Sequence, residues 1–185
     1  MNELLHTNLS DAVSVEVGAK AVDFRLKTEN GLNWRLSDNL GKVVALLFYP
    51  KDETLVCTKQ LCSVRDNWEK YLETKAVVVG VSPGTTSQHQ KFAVNHNLPI
   101  PLLADVDKSV TRMYSFHWLF PISFTRAIIV IDAKGIIRSR QIMLRAFRPS
   151  DNEVLAAIHR ARAEEISEKY EKLTVSRKND LKPLV

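Results

Sequence analysis

The sequence predicts an α/β fold, a central mixed β-sheet flanked by helices, on three observations. Two continuous apolar runs, KVVALLFYP and AVVVGVS, read as strands buried on both faces. Segments with apolar residues at three- and four-residue intervals alternate with those runs. The order then changes to a strand pair around a tight turn and a long last helix, which suits a mixed sheet.

Each element follows in order. After a polar lead-in, AVDFRLKTENGLNWRLSD alternates on either side of Asn30-Gly31, a hairpin signal whose glycine supplies the turn. KVVALLFYP is the first buried strand and ends at Pro50. From Cys57, the positions Cys57, Leu61, Val64, Trp68, Tyr71 and Leu72 mark one amphipathic helix. AVVVGVS is the second buried strand, SQHQKFAVNHN a helix, IPLLAD a short extended piece and DKSVTRMYSF a further helix. RAIIVIDAKGIIRSRQIML gives two strands around an Ala-Lys-Gly turn, and RPSDNEVLAAIHRARAEEISEKYEKL is the long C-terminal helix. No repeat or linker divides the chain. A single domain over 1–185 is expected, with a core of about 15–160 and a polar helical extension over 161–185.

Composition narrows the function classes. The 185 residues are 45% hydrophobic and 25% charged, enough for one good core and against disorder. The N-terminus lacks the basic flank and apolar core of a secretory signal, and no stretch approaches the ~20 apolar residues of a membrane span. A cytoplasmic protein that engages no membrane is expected. The net charge of +5 is spread among interleaved acids, without basic runs alternating with stacking aromatics, so no nucleic-acid partner is expected.

Both cysteines fall in FYPKDETLVCTKQLCSVRDNWEKY, five residues apart. In a reducing compartment two thiols act more often in catalysis, redox sensing or metal binding than as a structural staple. Cys57 stands at a helix start after a buried strand, where free N-H groups and the macrodipole favour a thiolate. Its phase with Leu61, Val64 and Trp68 points it inward, to the floor of a pocket, with Thr54 close enough for its hydroxyl to bond the sulfur or a substrate oxygen. Cys62 lies about 140° further around the helix, in phase with Arg65 and Glu69. An intact helix would hold the two Cα atoms about 8.7 Å apart, beyond the limit of about 7 Å for a disulfide. If the pair works together, the first helical turn must unwind. Two alternatives stand beside that reading: cysteines serving as small hydrophobes, which the outward phase of Cys62 opposes, and a metal site. For the latter His89, His96 and His117 are present but none has ligand spacing.

Pro50, Thr54 and Cys57 form Pro-x-x-x-Thr-x-x-Cys after an apolar strand, and the chain here resembles the peroxiredoxins, thiol-dependent peroxidases with a thioredoxin-like fold. FYPKDETLVCTKQLC resembles in particular the peroxiredoxin Q group, also called bacterioferritin comigratory proteins. The likeness runs from about Val22 to Ile158. It implies that Cys57 is the peroxidatic cysteine, that Cys62 is the resolving cysteine, and that Pro50, Thr54 and Arg126 complete the site. It further implies peroxide substrates, an intramolecular Cys57–Cys62 disulfide, no bound cofactor or metal, thioredoxin as external reductant, and a monomer or weak homodimer. Relatives carry Pro-Gly where this chain has Leu55-Val56, which makes the loop bulkier and stiffer. The C-terminal extension is also longer than the family core, as a solvated helix or a dimer contact. Two rival functions remain for comparison: a thioredoxin-like disulfide oxidoreductase, and a non-catalytic binding or chaperone-like protein.

Overall fold

The computed structural model describes residues 15–115 and 125–180; His117, the first 14 residues and the last five of the expected extension lie outside them. The strands are β1 (Arg25–Thr28), β2 (Asn33–Arg35), β3 (Val44–Phe48), β4 (Val77–Ser82), β5 (Leu102–Ala104), β6 (Thr125–Ile131) and β7 (Ile137–Leu144). The helices are α1 (Leu55–Asp66), α2 (Trp68–Glu73), α3 (Thr86–His96), α4 (Ser109–Ser115) and α5 (Asp151–Asp180). A 3-10 turn over Leu36–Asn39 was not anticipated.

One mixed sheet runs in the order β2-β1-β5-β4-β3-β6-β7. Strands β3, β4 and β5 are parallel, as two helical crossovers require, and β1, β2, β6 and β7 extend the sheet by antiparallel pairing. The β1–β2 hairpin forms around Asn30-Gly31, with Leu26 opposite Trp34 and Gly31 at φ +78°, a backbone that a side chain disfavours.

Strand period two divides the core. Ala45, Leu47 and Tyr49 face one layer with Cys57, Leu61, Val64, Phe92 and Ile158, so α1, α3 and α5 share that side. Val44, Leu46 and Phe48 face the other, with Val110 and Tyr114 of α4. Burying each such aliphatic side chain is worth about 1.5–3 kcal/mol, so a strand hydrophobic on both faces is held in place by both layers. On β6, Arg126 has the phase of Ile128 and Val130 and therefore points into the layer that contains α1.

The single helix expected from Cys57 to Leu72 is two. Asn67, with φ −107° and ψ 19°, separates α1 from α2, and Leu72 is 57% exposed instead of packed. The Asn67 side chain donates to the Ser63 carbonyl and to Asp151 Oδ2, so a short polar side chain competes with the helix ladder. Asp151 also accepts from Ser63 Oγ and from Tyr71 Oη at 2.7 Å, which ties α1 and α2 to the start of α5. Ser150 and Glu153 cap that start reciprocally. Past Arg162, which donates to the Thr74 carbonyl, Ile166 and Tyr170 are exposed.

Candidate active site

β3 delivers the chain to Pro50, and five residues later α1 begins. The helix starts at Leu55, two residues before the sequence suggests, so Cys57 occupies the third position of its first turn. Thr54 is the extended N-cap residue, but its side chain caps nothing: the hydroxyl donates to the Lys51 carbonyl at 3.4 Å rather than to the sulfur. The backbone N-H groups at the first three helical positions have no partner within the helix, so they can donate to an oxygen ligand.

Cys57 is wholly buried, and Arg126 Nη2 donates to its Sγ at 3.0 Å. Arg126 is itself 1% exposed. Its Nη1 donates to Gln60 Oε1 at 2.7 Å and its Nε to the Arg145 carbonyl at 3.0 Å. A guanidinium with three divergent acceptors cannot swing, so its positive charge is held beside the sulfur. Gln60 is the partner that sequence reasoning missed. Its signal was present: a polar residue three positions after Cys57, inside an otherwise apolar stripe.

Both cysteines are free thiols on an intact helix. Cys62 is half-buried, on the side of α1 that carries Arg65. Of the five residues expected at the site, Cys57 and Arg126 are in direct contact. Pro50 and Thr54 flank them in the loop, while Cys62 faces elsewhere.

A cavity of about 590 Å³ lies beside this loop, lined among others by Pro50, Asp52, Glu53, Gly84 and Lys91. Cys57 does not line it, so the sulfur is not the floor of this cavity but packs in the core layer with Tyr49, Leu61 and Val64. Tyr49, also beside Cys57 in the core, donates to Asp52 Oδ1 at 2.8 Å. Burial, reinforced by Asp52, holds the Tyr49 hydroxyl well above the ordinary tyrosine range. Among the described residues, no group of three or more His, Cys, Asp or Glu converges as metal ligands would. No helix among them is long and apolar enough to cross a membrane.

The family model for the AhpC/TSA family matches residues 17–140. The putative peroxiredoxin bcp of Coxiella burnetii is 44% identical over 132 residues, which cover 68% of this chain and 87% of that one. Peroxiredoxin Bcp of Bacillus subtilis is 38% identical over 130 residues, covering 66% of this chain and 82% of its own. The solved structure of peroxidoxin BcpB from Mycobacterium tuberculosis superposes with a TM-score of 0.67 at 28% identity, across 78% of this chain and 96% of that one.

Proposed function

Because the chain belongs to the AhpC/TSA family, and within it to the peroxiredoxins of the Bcp and Q kind, we propose that its thiol-dependent peroxidase reaction runs through Cys57 and Cys62. The observation that carries the assignment is the 3.0 Å bond from a buried, immobilised Arg126 to Cys57 Sγ.

The Cys57 thiolate attacks one peroxide oxygen along the O-O axis. The S-O bond forms as the O-O bond breaks, and the departing oxygen takes a proton and leaves as water or an alcohol. Negative charge moves from sulfur to the leaving oxygen, so its stabilisers must reach both atoms. Arg126 meets the sulfur, and the free N-H groups of the first turn, with the Thr54 hydroxyl, meet the oxygens. Pro50 fixes the backbone where β3 passes into the loop before α1.

Cys57 is left as a sulfenic acid. Cys62 then attacks it, water leaves, and a Cys57–Cys62 disulfide forms. The reach between the two positions requires residues 55–62 to unwind first. An external dithiol, proposed to be thioredoxin, restores both thiols by exchange. The whole cycle fits a cytoplasmic monomer or weak homodimer.

Replacing Cys57 by Ser should abolish peroxide turnover in an assay coupled to thioredoxin and its reductase, while Cys62→Ser should leave a sulfenate that dimedone labels at Cys57. Peroxidase activity that persists in Cys57→Ser would refute the assignment. Insulin reduction by the wild-type protein, faster than peroxide reduction, would favour the disulfide-oxidoreductase alternative.

A further inference from the structure

The loop ahead of α1 carries two consecutive acids, and α3 carries a histidine for each. His89 Nδ1 lies 2.7 Å from Asp52 Oδ2, and His96 Nε2 lies 3.0 Å from Glu53 Oε2. The two histidines are seven residues apart and so share one face of α3. Asn95 adds a bond to Glu53 Oε1 at 3.2 Å.

Neither contact is casual. His89 is wholly buried, and its Nε2 faces the Ser82 carbonyl at 3.3 Å, so each ring nitrogen meets an acceptor. Gly84 makes room for the pair: a Cβ there would come within 2.6 Å of His89 Cε1 and 3.1 Å of Asp52 Oδ2. Glu53 holds φ at +55°, a left-handed conformation that a glutamate adopts only when its surroundings impose it. The His96 hydrogen bond in turn draws the Glu53 carboxyl below its ordinary range.

The same helix also holds the far end of α1. Arg65 Nη1, three residues past Cys62, donates to the His96 carbonyl at 2.7 Å. α3 therefore brackets the segment from 55 to 62, gripping the chain just before it and just after it.

We propose that His89 and His96 are positioning residues that clamp the β3–α1 loop to α3 and so set the balance between the folded first turn, which attacks peroxide, and the unwound one, which forms the disulfide. This rests on the Cys57–Cys62 reading above. The physical reason is entropic. A segment with both ends held gains less freedom on unwinding than one with a loose end, so the clamp favours the folded turn. Releasing it should slow the first step and speed the second.

Rapid-quench mass spectrometry with hydrogen peroxide, following Cys57 oxidation and disulfide formation separately, tests the clamp. In Glu53→Ala, Gly84→Ala and His89→Leu, peroxide attack should slow and disulfide formation should accelerate, the two fold-changes multiplying to about tenfold, the shift in that balance from losing one charge-assisted hydrogen bond. His89→Asn, which keeps a donor toward Asp52, should return both rates toward wild type. Glu53 is an exposed side chain, so its variant carries the test even if a His89 variant fails to fold. Rates that stay unchanged, that fall together, or that His89→Asn does not restore would overturn the clamp. A wild-type protein in which peroxide oxidises neither thiol would overturn the peroxidase assignment along with it.

Discussion

Arg126 divides its donors among Cys57 Sγ, Gln60 Oε1 and the Arg145 carbonyl, and at 1% exposure none of those bonds has water as a ready substitute. A lysine in its place could reach one acceptor but not three, and its ammonium would be free to move. Arg126→Lys should therefore lower the second-order rate with hydrogen peroxide by about tenfold to a hundredfold, the span set by about 1.5–3 kcal/mol for a hydrogen bond to a charged group. A stopped-flow rate within a factor of two of wild type would mean that the charge, and not its placement, is what matters. The sequence showed Cys57, Thr54 and Arg126 through a motif and a resemblance. Gln60 stood out only as a polar residue on the apolar side of α1, and its partner could not be read there because Arg126 is 66 positions away.

α1 is held at both ends by side chains of other elements, and each end makes its own prediction. At its C-terminal end Asp151 accepts from Ser63, Asn67 and Tyr71. Asp151→Ala would leave the buried Tyr71 hydroxyl unmet and should cost about 1–3 kcal/mol in denaturant unfolding, whereas an unchanged midpoint would show that hub to be idle. At its N-terminal end the Glu53 carboxyl lies below its ordinary value of 4.5, chiefly through the His96 hydrogen bond. A carboxyl lowered by folding contributes stability that is complete above its unfolded value and is lost as pH falls through its folded one. Amide resonances of the 51–54 loop should thus shift in an NMR titration as the pH drops below about 4.5 while those of β4 over 77–80 stay in place. The two regions moving together would place the acid sensitivity elsewhere. The break at Asn67 was hidden from the sequence for a related reason: the apolar spacing runs on through it, and the acceptor that ends the helix is 84 residues away.

Across the whole molecule, what was legible followed from local periodicity. Both buried strands, the hairpin at Asn30-Gly31, the Ala-Lys-Gly turn and the long last helix all stand where their patterns put them. What periodicity left out depends on the sheet order, which brings β6 beside β3 and so carries Arg126 to Cys57, a meeting that only the resemblance implied, and lays α3 along the loop before α1. No single stretch of chain encodes those meetings. They also frame the central claim, because a fold that grips α1 at both ends must still release its first turn for Cys57 to meet Cys62. The most direct test is peptide mapping by mass spectrometry after one equivalent of hydrogen peroxide. The account predicts a peptide pair joined between Cys57 and Cys62, lighter by two hydrogens than the reduced peptides. Recovery of Cys62 as an alkylatable thiol, with Cys57 left as a sulfenic acid, would contradict it.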